Sequence, residues 1–234
     1  MERSESLQRD GFVIIRTVLT REACDSLAIE IAAVMDARPS DAIGAGQGRV
    51  VGGRNLLSVW DGWRQIVQRP AVSQLVANVL GRHAGVVRIL YFDKPPGKGW
   101  SLSLHRDRTI AVAKHCDPPT PFSKPTKKAG VPHVEASDEV LRQMLTLRLH
   151  LDPMHNDNGP LMVVPGSHAS HDPADTQTIR CGAGDLFVMR PLLSHGSKAA
   201  DPNTTDHRRV VHLELAANKH LPANYQWHQF EAVG

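Results

Sequence analysis

Nowhere in these 234 residues is there a run of about 18 consecutive apolar residues, so the sequence offers no candidate membrane span. Cysteine is scarce. Cys24, Cys116 and Cys181 lie far apart without C-x-x-C spacing, which excludes a disulfide framework and a cysteine-built zinc site and fits a reducing cytoplasm. Charge of one sign is never concentrated either: 27 Lys and Arg stand against 24 Asp and Glu, for a net charge of +3, with no block that would serve as an arm for nucleic acid or a membrane surface. The first ten residues are polar, without the apolar core of a secretory signal. What the chain does have is histidine, 13 in all and mostly after residue 100, so any metal site has to be picked out by spacing and context. With 41% hydrophobic and 22% charged residues the composition is globular, and a single domain over 1–234 is expected.

Along the chain, Gly11–Arg16 is a short β-branched run, and Thr20 then caps a segment whose Leu27, Ile31, Val34 and Met35 recur at helical spacing. Residues 37–53 read as a loop rich in Gly and Ala, and Asn55–Val67 as one or two short helices. Pro70 opens the clearest helix, with Val72, Leu75, Val76, Val79 and Leu80 in one stripe and Gly81 closing it. Residues 1–84 are thus mostly helical. Beyond Gly85 the pattern turns to short strands: Val86–Phe92, Trp100–Asp107, Leu145–Leu151, Leu161–Val164, Leu186–Met189, a run ending at His195, and Arg208–Leu215. A β-rich part over 85–234 with helices packed outside is expected, a sandwich or barrel. The proline-studded stretch 114–137 reads as an irregular, lid-like insert.

On a strand, residues i and i+2 share a face, so His105 and Asp107 reach one point together. A distant histidine would complete the 2-His-1-carboxylate triad of non-haem Fe(II) oxygenases. His195 is that candidate, because it ends an apolar strand and precedes Gly196, where backbone can come close to a bound group. Three ligands leave coordination positions open for a bidentate cosubstrate and O2. A dicarboxylate cosubstrate needs a cation for its far end, and Arg208-Arg209 begins the last strand; since neighbours point to opposite faces, one of the two enters the cavity.

The segments "LQRDGFVIIRTVLTREACDSL", "YFDKPPGKGWSLSLHRD", "LRLHLDPMHNDNGPLMVVPGSH", "GAGDLFVMRPLLSHGS" and "HRRVVHLEL", in this order, resemble the phytanoyl-CoA dioxygenase family of Fe(II)/2-oxoglutarate oxygenases over nearly the whole length. That resemblance implies a double-stranded β-helix (jelly roll, cupin-like), mainly β with flanking helices of the N-terminal third packed on one sheet. It implies Fe(II) on His105, Asp107 and His195, with 2-oxoglutarate and O2 as cosubstrates. The 2-oxoglutarate 5-carboxylate would meet Arg208, or Arg209 if the longer than usual spacing after His195 shifts the register, with Ser197 as hydrogen-bond donor and Lys94 as a second cation. Related halogenases carry Gly or Ala where this chain has Asp107, so hydroxylation of a small molecule with release of succinate and CO2, or another oxidation such as desaturation, is expected.

Substrate contacts stay open at this level. His133, with Lys127 and Lys128, lies on the insert. Arg148 and His150 face the cavity if the polar side of their alternating strand is the inner one, and are surface residues if the leucine side is. A non-catalytic binding module of the same fold and a metal-dependent hydrolase or isomerase on a similar roll are the competing readings.

Overall fold

The computed structural model describes residues 2–44, 50–97, 100–117, 120–170 and 175–233. In the N-terminal third, helix α1 (Glu2–Arg9) precedes strand β1 (Phe12–Ile15), helix α2 (Arg21–Ala37), strands β2 (Ala42–Gly44) and β3 (Val50–Gly53), and helices α3 (Arg64–Val67) and α4 (Pro70–Leu80). Capping acts as expected at α2, where the Thr20 hydroxyl accepts a hydrogen bond from the Ala23 N–H at 3.2 Å. Helix α1 was hidden by its polar composition; it buries Leu7 alone. Residues 37–53 differ from the expected loop, because β2 and β3 pair as a hairpin and β3 joins β4; residues 45–49 of that segment lie outside the described residues.

The β-rich part follows as β4 (Gly85–Lys94), β5 (Leu102–His105), β6 (Thr109–Ala111), β7 (Ser123–Lys128), β8 (Val131–Glu135), helix α5 (Asp138–Arg142), β9 (Met144–His150), β10 (Leu161–Val163), β11 (Gln177–Thr178), β12 (Leu186–Met189), β13 (His195–Ser197), β14 (Arg208–Ala216) and β15 (Glu231–Ala232). One large sheet runs β1-β12-β9-β14-β4-β3-β2 with β15 beside β4, and a smaller one runs β11-β10-β13-β5. Among the described residues the strand pairings are antiparallel, and β4, β5, β9, β10, β12, β13 and β14 fall alternately in the larger and the smaller sheet, which is the double-stranded β-helix.

The insert is not irregular throughout. Strands β7 and β8 form a hairpin that joins β6 in a third sheet, covering Ile110, Phe122 and Val134; residues 118 and 119 lie outside the described residues. Its proline and lysine content hid it because only β8 contributes buried side chains, while β7 is an exposed edge, where Pro and Lys are tolerated.

Strand β9 settles which face is which. Leu145, Leu147, Leu149 and Leu151 are fully buried in one cluster with Leu27 and Ile31 of α2 and Leu75 and Val76 of α4, so the leucine side meets the helices. Thr146, Arg148 and His150 therefore point into the roll. The inner faces of the neighbouring strands also carry polar residues, Arg88 and Lys94 on β4 and Arg208, His212 and Glu214 on β14, with Leu90, Phe92 and Val210 between them. Ordinarily such residues avoid the interior; here they surround a cavity.

Candidate active site

The cavity lies between the two sheets, with a volume of about 170 Å³. His105 ends β5, and in the antiparallel register it sits opposite His195 at the start of β13. Asp107 lies just past β5, its N–H held by the Pro191 carbonyl at 2.9 Å, and this fixes the turn that brings its carboxylate between the two rings. The distances are 3.6 Å from Asp107 to His105 Nε2 and 3.5 Å to His195 Nε2. Ring centroids of the two histidines are 4.4 Å apart.

Both histidines are fixed in the same way. His105 Nδ1 lies 2.9 Å from the Ser103 carbonyl and His195 Nδ1 2.9 Å from the Leu193 carbonyl, so each Nδ1–H donates to backbone and each Nε2 lone pair is left for a cation. Contact with the Asp107 carboxylate raises the pKa of His105, whereas burial lowers that of His195. Burial opposes ionisation of Asp107, but His105 and His195 hold its carboxyl well below the usual carboxylate range. Two neutral imidazoles and one carboxylate are the donor set that Fe(II) takes in a facial triad, and the ligand atoms of all three lie within 4.8 Å of one another. The residues fit the metal.

Gly196 lines the cavity, and a Cβ there would also stand 2.6 Å from the Leu102 carbonyl, so the glycine lets β5 close against β13.

At the other end of the cavity Arg208 pairs in register with Lys94 across β14 and β4. Both are buried. Lys94 Nζ donates to Ser197 Oγ at 2.9 Å and to the Lys198 carbonyl at 2.8 Å, and burial together with Arg208 lowers its pKa to about 7. Gly159, at φ +75°, leaves room for that ammonium, which a Cβ would meet at 3.1 Å. Among the described residues Arg208 has only a 3.9 Å contact from Nη1 to Met154 Sδ, and its buried Nε has no partner. An unsatisfied buried guanidinium beside an ammonium and a hydroxyl fits a carboxylate. Arg209 points the other way and binds Asp152 through Nε and Nη2, both at 2.7 Å.

Of the residues expected on the substrate side, Arg148 lines the cavity, while His150 is completely buried below it with both ring nitrogens unpartnered. His133 is buried within the insert, Nδ1 2.9 Å from the Val131 carbonyl, and does not line the cavity; burial lowers its pKa to about 4. The sequence reading missed the buried pair Arg88–Glu214, with Nε–Oε2 at 2.8 Å, and His212, edge-on to Phe92. A signal existed in "RRVVHLEL", where Arg208, His212 and Glu214 fall on one face of the strand.

The model of the phytanoyl-CoA dioxygenase family matches residues 7–211. No curated protein matches the sequence. Among solved structures, EctD from S. alaskensis with bound Fe is similar at TM-score 0.68 and 15% identity, covering 92% of this chain and 75% of that one. HygX from Streptomyces hygroscopicus with nickel and 2-oxoglutarate bound gives 0.65 and 13%, over 92% and 86%. SnoN, a non-haem α-ketoglutarate-dependent epimerase from nogalamycin biosynthesis, gives 0.66 and 19%, over 93% and 82%. At these identities the likeness speaks for the fold, while the family match spans most of the sequence: the chain belongs to the phytanoyl-CoA dioxygenase family.

Proposed function

We propose that the protein is a non-haem iron, 2-oxoglutarate-dependent dioxygenase that hydroxylates an unactivated C–H bond of a small molecule. The observation that carries this reading is the presence, in one cavity, of the His105, Asp107 and His195 cluster and of the Arg208 and Lys94 cations. His105, Asp107 and His195 would hold Fe(II), whose chemistry when bound is O2 activation coupled to oxidation of 2-oxoglutarate to succinate and CO2. The chain's own residues supply the rest. The Ser103 and Leu193 carbonyls keep both imidazoles in the metal-binding tautomer. Arg208, with Lys94 and Ser197, receives the 5-carboxylate and so sets which end of 2-oxoglutarate faces the metal. Leu90, Phe92, Trp100 and Leu161 line the cavity and keep it dry.

Asp107 supports hydroxylation over halogenation, because a retained carboxylate occupies the position a halide would take. The epimerase SnoN shares this fold, so the outcome depends on what the substrate places near the metal. Cys24, Cys116 and Cys181 are free thiols, in keeping with the cytoplasm as the proposed compartment, and no helix among the described residues is long and apolar enough to cross a membrane.

Anaerobic titration with Fe(II) and then 2-oxoglutarate tests the reading. A visible metal-to-ligand charge-transfer band is expected in wild type and is lost in His105→Ala. Absence of the band in wild type sinks the proposal. Succinate formation on aeration separates an enzyme from a silent binding module, and a product heavier by one oxygen atom separates hydroxylation from epimerisation or desaturation.

A further inference from the structure

The cavity carries more positive charge than iron and 2-oxoglutarate would neutralise. Its inner face is a ladder of rows fixed by strand register: Lys94 with Arg208, then Phe92 with Val210 and His150, then Leu90 with His212 and Arg148, then Arg88 with Glu214 and Thr146. Four residues of β14 separate Arg208 from His212, which is about 13 Å along the strand. If Fe(II) is bound, its two charges are matched by Asp107 and the carboxylate of 2-oxoglutarate that chelates it. The far carboxylate is met by Arg208 with Lys94 beside it, and Arg88 is matched by Glu214. Arg148 is left over.

The Asp107 carboxylate favours the charge of Arg148, but that carboxylate belongs to the candidate metal site. Arg148 is only 5% exposed, lines the cavity, has no hydrogen bond or ion pair among the described residues, and its Nε is buried without a partner. Burial lowers its pKa to about 10, so it remains a cation at neutral pH. A protein does not bury an unpaired guanidinium beside its metal ligands without an anion to place there.

We propose that the substrate is an anion whose carboxylate, or a comparable small oxyanion, is received by the Arg148 guanidinium. The inference rests on the oxygenase reading, and the same carboxylate chemistry has a second source, 2-oxoglutarate itself. Protein loaded with Ni(II) and N-oxalylglycine, redox-inert stand-ins, separates the two when benzoate and its neutral isostere benzamide are titrated by saturation-transfer NMR.

Wild type is expected to bind benzoate and to show no more than trace binding of benzamide. Arg148→Gln is expected to weaken benzoate at least tenfold while N-oxalylglycine affinity changes less than twofold, and Arg148→Lys to keep part of the preference. Equal binding of benzoate and benzamide by wild type overturns the proposal. So does a tenfold loss of N-oxalylglycine affinity in Arg148→Gln with benzoate unaffected, which would assign Arg148 to the cosubstrate. Should Arg148→Gln fail to fold, Arg148→Lys and the wild-type comparison still decide it. Failure of wild type to bind N-oxalylglycine would instead refute the oxygenase reading, and the benzoate preference is then read on the Ni(II) protein alone.

Discussion

Successive side chains of a strand point to opposite faces, so Arg208 enters the cavity while Arg209 closes a bidentate pair with Asp152 outside it. Arg208→Ala should weaken 2-oxoglutarate binding by about 1.5–3 kcal/mol, the worth of a charge-assisted pair of hydrogen bonds, as read from titration of the charge-transfer band. Arg209→Ala should leave that affinity unchanged and lower Tm instead. Lys94 makes a pH prediction. Its pKa, lowered to about 7, means that the ligand-free lysine is largely neutral at pH 8, and a bound carboxylate favours the ammonium. Binding of 2-oxoglutarate should therefore take up a proton above pH 7. Calorimetry in two buffers of different ionisation enthalpy measures this uptake, which should vanish in Lys94→Met. The proposed metal ligands were legible because each sits in a short local pattern, H-x-D or H-G-S. Arg208 could not be separated from Arg209 by spacing alone, since a shift of one residue exchanges their faces.

Strand β9 shows what an element's sequence can hide. Its strict alternation of Leu with Thr, Arg and His announces a two-faced strand, yet nothing within the seven residues says which face meets the helices and which the cavity. That choice comes from α2 and α4, whose apolar stripes cover the leucines. Leu147 is fully buried in that layer, and Leu147→Ala should cost about 2–5 kcal/mol through lost transfer energy and the void left behind. Denaturant midpoints would measure the loss, and Ni(II) affinity at temperatures where the variant is folded should be unchanged, because the side chain faces away from the ligands. The hairpin β7–β8 was illegible for the opposite reason. Strand propensity is weak in "SKPTKK", and the hairpin is held by register with β6 and by Phe122 and Val134, which long-range packing alone supplies.

At the scale of the molecule, the roll places one end of the proposed ligand set on an edge strand. Strand β5 is the outer member of the smaller sheet and among the described residues pairs with β13 alone, whereas His195 on β13 is flanked on both sides. Residues Leu102 and Leu104 on β5 are about half exposed. A metal bridging His105 to His195 would thus act as a clasp on a free edge, and its binding energy would appear partly as resistance of that edge to local opening. Amide hydrogen exchange should report it. Protection at Leu102 and Leu104 should rise on adding Ni(II), while the amides of β9 and β14, deep in the larger sheet, exchange at the same slow rate with or without the ion. Equal protection of β5 in both states would mean that the edge is already held by the protein alone.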